Sequence, residues 1–453
     1  MSKKTQFASR IGLIAATVGS AVGLGNVWRF PAEVQEGGGA AFLLIYIGCV
    51  ILLGIPVMLS EFALGRAGHS DAIGALKNVG ASKRWWVVGG IAILASYLIL
   101  SFYMVVAGWT LEYLVQSVTG GLFEPVAGEA GLNSHFTAKM EEYVTTDWPP
   151  LIFTFLMIFI NLGILLGGVQ KGIERMSNIM MPLFFLVLVV FVVVALSLPD
   201  AGAGLSFFLR PDFSKITGST IVSALGQAFF SLSLGMGILI TYSAYFSSKV
   251  PLVRTAVTVS LLDLLVAIMM GLVIFPAITS FGLDGETIRG ASLVFVTLPE
   301  VFTHMGMPQL WSILFFFLLA VAALTSTISI AEVSVAFIID RFHTSRIKAC
   351  LIVSLPLLPI SAVCSLSMGL WSDFTILGMN VFDFLDNFAT NILLPVGSIL
   401  LCIFLGWFAP RNLMYDQLSN HGTIRSRLIP AVIWIVKYLA PVLIAVVLVS
   451  TFL

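Results

Sequence analysis

The sequence predicts an all-α integral membrane protein with eleven transmembrane helices. Ten of them form two inverted five-helix repeats whose first and sixth helices are broken. Three observations carry that prediction. Hydrophobic residues make up 58% of the 453-residue chain and charged residues only 10%, against about 25% charged in soluble domains, and the mean hydropathy is +1.04. Windows of about 20 apolar residues, enough to cross a bilayer as a helix, recur eleven times. Two of those windows are interrupted in mid-span by Gly and Ser.

In chain order the spans fall at 10–35, 40–66, 85–118, 149–167, 175–199, 216–246, 250–281, 308–340, 346–369, 376–408 and 427–452. They divide the chain into a cytoplasmic N-terminal segment (1–9), a first five-helix repeat (10–199) and an external linker (200–215). A second repeat (216–408), a cytoplasmic loop (409–426) and the eleventh helix (427–453) follow. Five is odd, so the second repeat enters the membrane from the opposite side. With the N-terminus cytoplasmic and the C-terminus external, 17 of the 23 Lys and Arg residues lie at cytoplasmic ends and five outside, as the positive-inside rule requires. The setting is a cell (inner or plasma) membrane. MSKKTQFASR leads straight into the first span without the pattern of a cleavable signal peptide. The external segment 119–148 is the longest loop, with a short surface helix expected over His135–Tyr143, and 282–307 is the corresponding loop of the second half.

Several function classes are disfavoured at once. A formal net charge of zero and the lack of a basic tail give no hint of nucleic-acid binding. Cys49, Cys350, Cys364 and Cys402 sit in or beside apolar segments with no C-x-x-C spacing, the pattern of small core residues. The five histidines form no metal motif, no Gly-rich phosphate loop is present, and no Ser/His or paired-Asp constellation suggests an enzyme.

The first span carries the strongest signal. Its centre reads Gly19-Ser20-Ala21-Val22-Gly23-Leu24-Gly25-Asn26. Each interior Gly costs about 1 kcal/mol against Ala, and a break in lipid leaves backbone groups needing other partners. The sixth span has a matching break at Ser231-Leu232-Ser233-Leu234-Gly235-Met236-Gly237. Paired breaks in inverted halves point to a transporter with a midplane site.

GSAVGLGNVWRFP at 19–31, GGGAF at 38–42, QAFFSLSLGMG at 227–237 and ALTSTISI at 323–330 resemble the neurotransmitter:sodium symporter family, in particular its bacterial amino-acid branch. The paired-break pattern is itself described from such transporters, so it and the resemblance are one line of support. A sodium ion wants hard oxygen ligands. The first break offers carbonyls of Gly19, Ala21 and Val22 and the Asn26 amide, and the eighth span offers Ala322, Thr325 and Ser326. The resemblance sorts these into two sodium sites: Ala21, Asn26, Ser231 and Asp263 in the first, Gly19, Val22, Ala322, Thr325 and Ser326 in the second. Hydroxyls of Thr325 and Ser326 bonded back to their own helix are the competing reading.

Asp263 departs from the family, whose members usually carry Asn there. Chloride-dependent members bind chloride at positions matching Tyr46, Gln227, Ser231 and Ala267. Chloride-independent bacterial relatives supply an acidic side chain instead; Ala267 cannot, and Asp263, one turn away, can. No chloride requirement is expected, and Asp263 is a candidate for proton exchange on the return step.

Gly23 stands where monoamine transporters of the family carry Asp, so the ligand is expected to bring its own carboxylate. The N–H groups of Leu24 and Gly25 open a half-helix that favours an anion, with Tyr103 as a further donor. The ligand's ammonium would meet carbonyls of Ala21, Phe230 and Ser231. Ser20, Ile99, Tyr103, Phe230, Ser233, Met236, Ser326 and Ile330 would form a mostly apolar side-chain pocket. The resemblance implies an outer gate of Arg29 with Asp386, closed beneath by Tyr103 and Phe230. It also implies an inner latch of Lys4 and Phe7 with Asp340, although Asp340-Arg341 also fits an ordinary solvated helix end. Gly172 and Pro182 mark either a segment that unwinds to hydrate the second sodium site or a plain Pro kink. The expected partners are a hydrophobic L-amino acid, sodium and the lipid bilayer, with no nucleic acid. A channel is the rival class, though the polar residues cluster at mid-depth and do not line a path.

Overall fold

A computed structural model describes residues 6–80, 82–124, 132–282, 291–424 and 426–451; Lys4, one half of the expected inner latch, lies outside them. The described secondary structure is helical apart from two isolated bridges, Gly39–Pro211 and Ile376–Met379. The first span is α1 (Arg10–Ala21) and α2 (Gly25–Glu36), bent by 54° at the gap between them. The spans α3 (Ala40–Gly68), α4 (Trp86–Thr119), α5 (Trp148–Leu166) and α6 (Val169–Leu196) follow. The second half runs α7 (Gly218–Ser231), α8 (Ile238–Ser243), α9 (Leu252–Ser280), α10 (Pro308–Phe342), α11 (Arg346–Leu366), α12 (Val381–Phe408) and α13 (Leu428–Ser450).

Among the described residues, nine helices are long and apolar enough to cross a membrane, ten when the bent pair counts as one span. The remaining expected span, 216–246, is where the count differs. It is divided into α7 and α8 by the turn Leu232–Gly237, and neither piece alone has the length of a crossing. The expected fifth span also begins earlier, because the π-helical turn Val169–Glu174 continues into the helix. Over His135–Tyr143 a helix forms, extending across Leu132–Thr145.

Burial orders these helices from centre to rim. In the apolar window of α10, 78% of residues are buried, against 17% for α13. α10 packs on α1, α4, α6 and α11, and α1 also packs on α9. Local chemistry fixes the helix starts beside the breaks. Ser9 caps α1 by accepting the Gly12 amide at 2.9 Å, and Thr217 with Thr220 forms a capping box at the start of α7. Apolar residues alone cannot explain where α1 stops. Val22, just past its end, is extended at ψ 108°, and the chain resumes helically only at Gly25.

Candidate functional site

The two breaks meet. Ser233, held at φ +54° between the halves of the sixth span, donates its hydroxyl to the Ser20 carbonyl at 2.8 Å. Gly235 and Gly237 take φ of +78° and +73°, a left-handed conformation that other residues adopt at a cost. The glycines of the sixth span therefore supply the turn that carries Ser233 to the first break.

One group of oxygens gathers around Asp263. Its Oδ1 accepts from Asn26 Nδ2 at 2.9 Å, and its Oδ2 accepts from the Ser231 hydroxyl at 2.7 Å and from the Tyr46 hydroxyl at 3.5 Å. Ser231 Oγ also lies 3.4 Å from Asn26 Oδ1. Asn26, Asp263 and Tyr46 are fully buried and Ser231 nearly so. Beside them Gln227 donates Nε2 to the Gly25 carbonyl at 3.3 Å, and its Oε1 is buried without a hydrogen-bond partner. Ala267 is buried as well. A carboxylate removed from water survives when several donors converge on it, and three converge here.

A second group forms where α10 crosses α1. Ser326 Oγ lies 3.4 Å from the Gly19 carbonyl and 3.3 Å from the Val22 carbonyl. One hydroxyl proton cannot serve two carbonyls well, so this convergence suits a small cation. Thr325 behaves differently, donating to Val321 and Ala322 of its own helix at 3.1 and 3.0 Å. The expectation of back-bonded hydroxyls therefore describes Thr325 and not Ser326. Gly19 keeps the crossing close, since a Cβ there would stand 3.2 Å from Thr325 Cβ. Among the described residues no group of three His, Cys, Asp or Glu could hold a metal; the donors here are carbonyls, hydroxyls and one carboxylate.

Between the two groups lies Gly23. A Cβ at that position would stand 2.8 Å from Ser326 Oγ and 3.1 Å from the Tyr103 hydroxyl. The Leu24 N–H donates to the Tyr103 hydroxyl at 3.2 Å, and a Cβ at Gly25 would meet the Phe230 ring at 2.8 Å. Ile99, Tyr103, Met236, Ser326, Ile330, Ser20 and Ser233 are all buried. Phe230 is the least buried of these walls.

On the far side of that wall a narrow cleft is lined by Arg29, Phe230, Thr390 and residues of α13. The Arg29 guanidinium lies 5.2 Å over the Phe230 ring, and its Nε lies 3.6 Å from Glu33. Asp386 bonds Thr390 at 3.4 Å, and among the described residues no ion pair within 4 Å joins it to Arg29. At the opposite end, Asp340 accepts from the Ser70 hydroxyl at 3.0 Å and the Asp71 amide at 2.8 Å. Phe7 packs edge-on against Tyr242 and Tyr245. Gly172 sits in the turn Val169–Glu174 and Pro182 inside continuous helix, so the stretch between them is wound here.

Two acidic residues outside the expected set also shape that end. Glu174 accepts the Ala8 and Ser9 amides at 2.7 and 2.9 Å, against a Gly12 whose missing side chain leaves it room. Glu332, fully buried, accepts the Tyr245 hydroxyl at 2.8 Å and pairs with both terminal nitrogens of Arg346 at 3.0 and 2.7 Å. An acid inside the apolar run ISIAEVSVAF is the same kind of signal that singled out Asp263.

The profile of the Sodium:neurotransmitter symporter family matches residues 4–127 and 132–453. The chain belongs to that family. An uncharacterized sodium-dependent transporter, YhdH of Bacillus subtilis (strain 168), is 35% identical over 98% of this chain and 97% of its own. Another from Methanocaldococcus jannaschii, MJ1319, is 34% identical over 98% of this chain and 89% of its own. The crystal structure of MhsT in complex with L-phenylalanine superposes with a TM-score of 0.89 and 39% identity, covering 99% and 100% of the two chains. The protein is thus a multi-pass membrane transporter of a sodium-dependent symporter family and not an enzyme.

Proposed function

We propose that this symporter imports hydrophobic L-amino acids, aliphatic and aromatic, by alternating access coupled to two sodium ions. The observation that carries the reading is the bare backbone at Gly23. No acidic side chain occupies the position, the Leu24 N–H donates to the Tyr103 hydroxyl beside it, and the walls around it are mostly apolar and buried. A ligand there supplies its own carboxylate and an apolar side chain. The complex of MhsT with L-phenylalanine supports the same class.

The first sodium binds at Ala21, Asn26, Ser231 and Asp263, the second at Gly19, Val22, Ala322, Thr325 and Ser326. Asp263 takes the place of chloride: two of the positions matching the family's chloride ligands, Tyr46 and Ser231, donate to its carboxylate. For the second ion, Thr325 keeps its oxygen lone pairs while its proton goes to its own helix, and the Gly19 and Val22 carbonyls already face Ser326. Each ion entering down ~100 mV contributes about 2.3 kcal/mol before its concentration gradient is added.

In this reading α7, the turn and α8 together are the sixth of eleven spans, 10–199 and 216–408 are inverted repeats, and the N-terminus faces the cytoplasm of a cell membrane. Movement of Arg29 and Phe230 opens the outer cleft, release of Phe7 and Asp340 (with Lys4) opens the inner side, and unwinding between Gly172 and Pro182 admits water to the second ion. The test is a binding competition panel over the twenty amino acids, with and without sodium and chloride. Sodium-dependent binding of Leu, Ile, Phe, Tyr and Trp, indifferent to chloride, is the expected pattern; binding confined to glycine or charged amino acids refutes it.

A further inference from the structure

Glu61 lies on α3, outside both oxygen clusters, and is fully buried. Its Oε1 accepts the Gly235 amide at 2.7 Å. Its Oε2 is buried with no hydrogen-bond partner. Gly235 belongs to the turn that breaks the sixth span, and a Cβ there would collide with Ser398 Oγ and stand 2.9 Å from the Leu394 carbonyl of α12. Ser398 Oγ is likewise buried and unpartnered. A small cavity, with room for about one water, touches Glu61, Gly235, Gly237 and Gly397. Two orphaned oxygens thus flank one glycine of the break.

The contrast with Asp263 decides the charge. Asp263 has three side-chain donors; Glu61 has one backbone N–H and no cation. On its own helix, Arg66 is committed to Gln417, Asn420 and the Val250 carbonyl. From α12 the nearest titratable group is the buried thiol of Cys402. The short helix Ala72–Asn78 brings Asp71, which caps its own amides, and Lys77, which is exposed. α8 brings Tyr242, bonded to Ser329, and α9 brings Asp263 with the exposed Arg254. The helix Leu413–Leu418 brings Asp416 and Tyr415, and the last span brings Lys437, which lies over Trp407. None of these supplies the cation that a buried carboxylate needs.

We propose that Glu61 is a proton-binding site built into the second break, neutral in the form described and ionised when the Gly235 amide moves away. In the neutral acid the carbonyl Oε1 accepts from Gly235 and the hydroxyl at Oε2 faces the cavity, where one water can take its proton's hydrogen bond and relay it to Ser398 Oγ, which flanks the same glycine. Rearrangement of the turn removes the Gly235 contact and opens the cavity, and the proton leaves to water. The transporter then carries a proton-linked step at a place separate from the sodium ligands. Only the link to the transport cycle rests on the proposed function.

Infrared difference spectra of the full chain between neutral and alkaline pH, in sodium buffer without amino acid, test the site. The expected spectrum contains the carbonyl stretch of a neutral carboxylic acid that E61Q abolishes and D263N retains; identical spectra for wild type and E61Q overturn the proposal. S398A is a second probe that leaves the acid in place: a frequency shift of that band is expected, and an unshifted band counts against the proposal. Adding L-phenylalanine separates the two claims. If wild type shows the Glu61 band but never binds amino acid, the functional reading falls and the proton site stands. If it binds with no Glu61 band, the reverse holds.

Discussion

The Ser231 hydroxyl donates to Asp263 Oδ2 at 2.7 Å, joining the end of α7, where the second break begins, to the middle of α9. Asn26 reaches the other carboxylate oxygen at 2.9 Å from the first break. A single buried carboxyl group therefore ties both breaks together, and its replacement should be felt by the ion proposed to bind there.

For D263N the expectation follows from that carboxyl group. Hydrogen bonds to a charged group contribute about 1.5–3 kcal/mol, so sodium affinity falls roughly 10- to 150-fold in chloride-free buffer, and added chloride restores part of it. Sodium titrations of substrate binding with chloride or gluconate check this. Equal sodium affinity in wild type and D263N would show that the carboxylate is not part of the ion site.

Substitutions at Gly23 probe the ligand's head group. Inserting a methyl into a packed site costs about 1–3 kcal/mol, so G23A weakens phenylalanine binding by about 5- to 150-fold. G23D places a carboxylate against Ser326 and Tyr103, where the ligand's own is expected, and abolishes binding of amino acids. Direct binding by scintillation proximity measures both; wild-type affinity in G23D contradicts the assigned orientation.

Thr325 and Ser326 are adjacent in sequence and bonded differently. T325V keeps a γ-methyl beside Gly19 and removes bonds made only within α10, so sodium-free stability changes little while sodium affinity falls. S326A removes a contact between α10 and α1 and lowers both, the stability by about 0.5–1.5 kcal/mol. Thermal unfolding with and without sodium separates the two, and equal sodium-free losses would remove the distinction.

The Glu332–Arg346 pair should act as a unit. E332Q or R346A alone leaves a buried group without its partner, at a cost of about 3–5 kcal/mol. The double variant E332Q/R346M costs less than the sum of the single changes. A double-mutant cycle by thermal unfolding measures the coupling; additive losses would mean the pair contributes nothing jointly.

Much of this was legible in the chain. Gly19, Gly23 and Gly25 marked the first break, and Asp263 stood out as an acid in an apolar span. Two things were not. Sequence placed Thr325 and Ser326 side by side but could not say which hydroxyl faces α1, because that depends on helix rotation set by packing. Glu61 and Glu332 carried the same signal as Asp263, yet their partners, Gly235 and Arg346, are fixed only by how the breaks and helix ends meet. The sixth span reads as one apolar window, while the folded chain spends six of its residues on a turn.

The most direct test of sodium-coupled amino-acid import is uptake of L-phenylalanine into liposomes holding the purified protein, driven by an inward sodium gradient with gluconate as the only anion. The expected result is saturable accumulation above equilibrium that collapses when sodium is equal on both sides or replaced by potassium. Uptake that is unsaturable, needs chloride, or proceeds equally without sodium would contradict it.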